Sequence, residues 1–147
     1  MDNLNKERRS WNMSRIKSKN TKPEILVKKY LYHNGVKFRS SKLKMIGNPD
    51  IIIKKYKLAL FVHGCFWHGH NNCKYFRYPK SNVEFWKKKI NANIDRDKKV
   101  SEKLSNLSYQ IFVIWECEIK QKNYKKLDNF VLNYFELKNQ FNNCEIK

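Results

Sequence analysis

The stretch Leu58-Ala59-Leu60-Phe61-Val62-His63-Gly64-Cys65-Phe66-Trp67-His68-Gly69-His70-Asn71-Asn72-Cys73 changes character in its middle. Its first five residues are apolar without alternation, the pattern of a strand buried on both faces near the centre of a sheet. From His63 onward come three histidines, two cysteines and a Phe-Trp pair. Zinc takes four imidazole or thiolate ligands in a tetrahedron. Cys65, His70 and Cys73 can close three corners from one loop. Cys117, just after the apolar run Ile111-Phe112-Val113-Ile114-Trp115, is the candidate fourth. His63, His68, Phe66 and Trp67 are then left without a structural task, on a loop that a metal would hold in shape.

The flanks supply the rest of the fold. Asn48-Pro49-Asp50 turns into the β-branched strand Ile51-Ile52-Ile53, and polar Lys54 to Lys57 lead back into Leu58–Val62. Val36 to Arg39 reads as a further short strand and Gln110 to Trp115 as another buried one. Thr21-Lys22-Pro23-Glu24 is a helix start with a capping box, followed by Ile25, Leu26, Tyr30 and Leu31 at helical spacing and a stop at Gly35. Ser81-Asn82-Val83-Glu84 reads as a second capping box. The long helix after it carries Trp86, Ile90, Ile94, Val100, Leu104 and Leu107. Asp97 lies two turns from both Ile90 and Leu104, so it falls on the inward face, where a carboxylate needs a partner. A last helix spans about Lys120 to Gln140. The expected class is α/β: a mixed sheet of about four strands flanked by helices.

A chain of 147 residues forms one domain. The expected division is a flexible basic arm over residues 1–20, the folded domain over 21–140 and a polar tail over 141–147, where Cys144 is incidental. The formal charge of +19, spread along the chain, points to a polyanion, nucleic acid above all. No apolar run approaches the ~20 residues of a membrane span. Without a signal-peptide pattern, four cysteines suggest a reducing compartment and metal binding rather than disulfides. The expected location is the cytoplasm.

Pro49-Asp50 followed by a hairpin resembles the core of the PD-(D/E)xK nucleases, with Phe61-Val62-His63 standing where D/E-x-K would be. The second carboxylate is missing, and His63 replaces the lysine. With His63-Gly64-Cys65-Phe66-Trp67-His68, Glu84-Phe85-Trp86, Arg96-Asp97 and Trp115-Glu116-Cys117, the pattern resembles the very short patch repair (Vsr) DNA mismatch endonucleases from Asn12-Met13 through Cys117.

That resemblance implies structural zinc (Zn2+) on Cys65, His70, Cys73 and Cys117, although His70-Asn71-Asn72-Cys73 is one residue longer than the family's usual spacing. It implies catalytic magnesium (Mg2+) on Asp50 and the backbone carbonyl of Val62, where the family usually has threonine. His68 would be the general base, His63 and Asp97 the supporting pair at the scissile phosphate, and Glu24 a water-mediated contact to the metal. Phe66 and Trp67 would wedge into the base stack, with Met13 entering from the other groove. The implied activity is a nick 5′ of the T in a T:G mismatch left by deaminated 5-methylcytosine. The implied partners are mismatched double-stranded DNA, the MutL mismatch-repair protein and a repair DNA polymerase; a monomer suits a nick. A restriction-type nuclease on matched DNA and a non-catalytic zinc module that binds DNA are the alternatives.

Overall fold

The computed structural model describes residues 5–40 and 45–144. The elements run α1 (Lys6–Ser14), α2 (Lys22–His33), β1 (Arg39–Ser40), β2 (Ile51–Ile53), a 3-10 turn (Lys54–Tyr56), β3 (Leu58–His63), α3 (Val83–Asn106), β4 (Gln110–Trp115), α4 (Glu116–Lys120) and α5 (Lys125–Cys144). The body of the sheet is β2, β3 and β4, and the two-residue β1 extends its edge beside β2. β3 is central. It pairs antiparallel with β2, through the register Ile51↔Leu60, and parallel with β4, through Val62↔Ile114 and His63↔Trp115. The parallel pair needs a long crossover, which α3 supplies.

Both faces of the sheet are covered, which is why β3 lacks alternation. Ile51, Ile53, Leu58 and Leu60 point to one side, where α2 and α5 bring Val27, Leu31, Leu127 and Phe130. Ile52, Ala59 and Phe61 point to the other, where they meet Leu104 of α3 and Tyr109. Successive strand residues face opposite sides, so a continuous apolar run serves two cores. No helix of the described residues is long and apolar enough to cross a membrane.

Thr21 caps α2 as its sequence predicts: Glu24 N–H donates to Thr21 Oγ1, while the Glu24 carboxylate accepts from the Thr21 hydroxyl at 2.9 Å and from Asn20 N–H at 2.8 Å. Several expectations give way. Ile25 and Leu26 are 41% and 53% exposed, because the inward stripe of α2 is Glu24, Val27 and Leu31. Val36 joins no strand: its N–H closes the end of α2 on the Leu31 carbonyl after Gly35 turns at φ +76°, so pairing begins only at Arg39. The second capping box does not form. Asn82 takes left-handed φ +53° and makes no side-chain cap, Glu84 turns to Lys87 at 3.4 Å, and the Ser81 hydroxyl accepts from Arg9 at 3.4 Å.

The C-terminal helix starts at Lys125 instead of Lys120, because Lys122 at φ +55° breaks it from the short α4. It continues through Cys144, so of the expected polar tail 141–147 the first four residues are helical and 145–147 lie outside the described residues. The arm expected to be flexible contains α1, capped by the Asn5 side chain on Arg8 N–H; residues 1–4 of it also lie outside the described residues.

Candidate active site and metal-ligand cluster

Because β2 and β3 are antiparallel, the residue before β2 and the end of β3 meet at one edge of the sheet. Asp50 therefore lies beside Val62, whose N–H donates to Asp50 Oδ2 at 2.7 Å. Burial pushes the Asp50 carboxyl up to about 6; the Val62 N–H pulls it back in part, and the nearby Glu24 raises it further. Glu24 is only 8% exposed. A buried and a half-buried carboxylate in one neighbourhood, on a strongly basic chain, suit a small cation.

His63, at the end of β3, stacks on His68 with ring centroids 3.8 Å apart and planes within 6°. Burial, and then the neighbouring His68, hold His63 down to about 4. The second imidazole thus stays neutral beside the first. His68 Nδ1 lies 2.6 Å from Asp97 Oδ2. Sequence alone does not say which histidine Asp97 orients; the structure pairs it with His68. Burial acts to raise the Asp97 carboxyl, but the hydrogen bond to His68 and the positive groups around it leave it below the ordinary carboxylate value. With Nδ1 turned to a carboxylate, His68 Nε2 is the nitrogen left to accept a proton.

Cys65, His70, Cys73 and Cys117 bring one ligand atom each within 4.8 Å of one another. Zinc–sulfur bonds of about 2.3 Å separate the corners of a tetrahedron by roughly 3.8 Å, so the cluster needs only a slight contraction to hold zinc. The longer spacing between His70 and Cys73 is absorbed by Asn72 at φ +56°, a left-handed position that asparagine tolerates. The His70 ring lies flat on Trp115, 3.9 Å away and within 1°, and its Nδ1 is 3.4 Å from Cys117 Sγ. Cys117 sits in the first turn of α4, directly after β4. The cluster therefore ties the loop after β3 to the start of α4, and separates His70, within it, from His68, which faces Asp97.

Phe66 and Trp67 are half-buried and pack with Trp86 of α3 at centroid distances of 5.3 and 5.9 Å. Asn93 Nδ2 donates to the Trp67 carbonyl at 2.8 Å, and Lys89 Nζ lies 5.5 Å from the Trp67 ring. In sequence Trp86 reads as part of the α3 stripe and of Glu84-Phe85-Trp86, and Asn93 as no more than the neighbour of Ile94 in that stripe. The Phe66–Trp67 turn is seated on that helix at Gly69, at φ +59° against Ile94 and Ile90, which residue spacing does not reveal. A cavity of about 560 Å3 separates this turn from the N-terminal segment, with Met13 and Ile16 on one wall and Trp67 and His68 on the other. A second, of about 850 Å3, opens over Asp50, His63 and Asp97; His68, Val62, Glu24 and Arg96 border both. The structure thus brings the expected residues into one continuous region, with Met13 (39% exposed) across the cavity from the aromatic pair.

A family model described as DNA mismatch endonuclease Vsr matches residues 1–74. The chain is 45% identical over 115 residues to the type II nicking enzyme V.NmeAIP of Neisseria meningitidis, an alignment covering 78% of this chain and 81% of that protein. It is 42% identical over 118 residues to the type II nicking enzyme V.XorIIP of Xanthomonas oryzae, covering 80% and 86%. To the DNA mismatch endonuclease Vsr of Escherichia coli it is 35% identical over 115 residues, covering 78% and 73%.

Proposed function

The chain belongs to the Vsr family of DNA mismatch endonucleases, and we propose that it nicks one strand of duplex DNA 5′ of the T in a T:G mismatch, using magnesium at Asp50 and structural zinc at the cysteine–histidine cluster. The observation that carries this reading is the His68–Asp97 contact of 2.6 Å opening onto the same cavity as the half-buried Asp50. The names of the Neisseria and Xanthomonas relatives support single-strand cutting. The paired β2 and β3, with Asp50 before one and His63 ending the other, support a PD-(D/E)xK-type core in which histidine chemistry replaces the lysine.

In this mechanism His68 Nε2 takes a proton from the attacking water, which forms a bond to phosphorus as the bond to the 3′ oxygen breaks in line. Asp97 holds the imidazole in the tautomer that can do so and stabilises the imidazolium that results. His63, neutral against its stacked neighbour, offers an N–H to the phosphate without opposing that charge. Asp50 and the Val62 carbonyl would hold magnesium, with Glu24 behind them. The bound cation would supply charge stabilisation at the pentacoordinate phosphate. Cys65, His70, Cys73 and Cys117 would hold zinc as a structural ion. The enzyme acts as a monomer at bacterial DNA in the cytoplasm, with MutL and a repair polymerase as the implied partners before and after the nick.

The test is nicking of T:G, other mismatched and matched duplexes, with and without magnesium. A single cut, confined to the T:G duplex and to reactions with magnesium, is expected. Double-strand cleavage of matched DNA would make the protein a restriction-type nuclease, and binding without cleavage would leave only a DNA-binding module.

Lysine and arginine contacts to phosphate supply affinity without discrimination. Preference for T:G then rests on the apolar side chains Phe66, Trp67 and Met13, which exploit the easier unstacking beside a mismatch. Trp67→Ala is expected to lose about 1–3 kcal/mol of T:G preference, the worth of one stacked aromatic, while salt-sensitive binding to matched DNA persists. Phe66→Ala should act similarly and Met13→Ala more mildly. Titrations of both duplexes at two salt concentrations, read beside the melting temperature, decide the matter. An unchanged T:G-to-matched ratio in a stably folded Trp67→Ala puts the wedge elsewhere.

A further inference from the structure

We propose that Gly47 is a positioning residue for Asp50, acting through a close seat of its backbone on Val100 of α3. The inference rests on the reading of Asp50 as the cation-holding carboxylate. Gly47 has φ +73°, and a Cβ placed on it would stand 2.2 Å from Val100 Cγ1, 2.9 Å from Cγ2 and 3.1 Å from Cβ. Valine in a helix has one strongly preferred χ1. Rotation removes only part of the clash, since the second methyl at 2.9 Å and the Cβ at 3.1 Å also crowd the position. Only displacement of the loop or the helix can accommodate a side chain at this position.

Displacement at Gly47 reaches Asp50 within three residues, and the link is stiff. Asn48 N–H donates to the Met45 carbonyl at 2.9 Å, Asn48 holds φ +47°, and Pro49 has a ring-fixed φ and a fully buried side chain. On the other side of the contact, Val100 lies three residues from Asp97, on the same face of α3. Asp97 in turn holds His68. The Gly47–Val100 seat therefore sets the spacing between the Asp50 carboxylate and the His68 imidazole, which come from separate loops. Gly69 also sits on α3, but a Cβ there would first meet Ile94 Cδ1 at 2.7 Å, the flexible end of a side chain. Of the two glycine contacts on this helix, the one at Val100 is the less yielding.

The experiment compares Gly47→Ala, Val100→Ala, the double variant and Asp50→Asn. It measures single-turnover nicking of a T:G duplex over a magnesium chloride titration, with duplex affinity and melting temperature beside it. An ångström-scale misplacement of reacting groups costs rate steeply, so Gly47→Ala should slow nicking at least about tenfold and raise the magnesium midpoint about threefold or more, with duplex affinity kept. Val100→Ala alone, which loosens the seat without forcing it apart, should slow nicking less than Gly47→Ala does. Combined with Gly47→Ala it should restore most of the loss, leaving the strain of alanine at positive φ. If Gly47→Ala does not fold, Val100→Ile presses on the same contact from the helix side, and slowed nicking with a raised midpoint is expected there too.

A merely structural role would lower the melting temperature without moving the rate or magnesium midpoint of folded protein, and would show no rescue by Val100→Ala; that result overturns the inference. Full activity in Asp50→Asn would sink the reading of Asp50 and this inference with it. An inactive Asp50→Asn beside a fully active Gly47→Ala or Val100→Ile would sink this inference alone.

Discussion

Asp50→Asn is expected to abolish nicking and, in the metal-free protein, to raise the melting temperature. The two effects have one origin. Burial lifts the Asp50 carboxyl from 3.8 to about 6, so the folded protein resists placing a charge there. Two in pKa corresponds to roughly 3 kcal/mol at most. Because the folded value lies above the unfolded one, the folded state binds the proton more tightly. Stability is therefore highest below the ordinary carboxylate range, falls as pH rises from about 4 to about 6, and carries the full penalty above that. Asparagine removes the charge and keeps an amide oxygen for the Val62 N–H, now at 2.7 Å from the carboxylate. At pH 7 the variant should melt higher than the metal-free parent, and near pH 4 the gap should close. Magnesium should stabilise the parent and not the variant, by mass action. Loss of nicking is expected to exceed about a thousandfold, about 4 kcal/mol of barrier, with T:G binding retained. Calorimetry at pH 4 and 7, with and without magnesium, tests the stability half. Retention of a tenth of the parental rate would remove Asp50 from the mechanism, and an equal or lower melting temperature at pH 7 would remove the electrostatic account.

What could be read from the chain follows the range of the interactions involved. The sheet body was legible, because Ile51–Ile53 and Leu58–Val62 are apolar runs whose burial on two faces leaves a direct mark, and the run 111–115 is apolar throughout although only Phe112 and Ile114 are fully buried. So was the start of α2, since Thr21 and Glu24 act within one turn. The same local rule misled at Ser81–Glu84, where Arg9 and Lys87 compete for the would-be capping side chains. The four ligands of the cysteine–histidine cluster were legible as residue types. So was the division between His70 in the cluster and His68 outside it, but not its basis, since Trp115 taking one ring and Asp97 the other rests on contacts distant in sequence. Least legible was α3 as a common support. Ile90, Ile94, Asp97 and Val100 look like a core stripe in sequence, and only the fold shows Gly69, His68 and Gly47 each resting on it.

Cys117→Ser is expected to destabilise the fold by several kcal/mol, whereas Cys144→Ser should leave it unchanged. Cys65 and Cys117 are buried, and the cluster brings the loop after β3 against the start of α4. Cys144 is exposed near the end of α5. Without a metal, burial pushes the Cys65 thiol up to about 12 and raises the Cys117 thiol as well, so these two sulfurs stay protonated. With zinc, ligand deprotonation and loop closure occur together, and the binding free energy becomes folding free energy. Loss of one thiolate ligand then weakens metal binding and packing at once, the kind of change that reaches the upper range of single-substitution effects, on the order of 4 kcal/mol. Metal analysis should find one zinc per parent chain and much less in Cys117→Ser. A strong chelator should lower the parent's melting temperature toward the variant's. Nicking should fall with it, because His68 stands between Cys65 and His70 on the loop that the metal shapes. Zinc restored without magnesium should bring back the melting temperature and leave nicking absent, which separates the structural ion from the catalytic one. A zinc-free preparation that stays folded and nicks at the parental rate would show that the cluster is a packed group of thiols and no metal site.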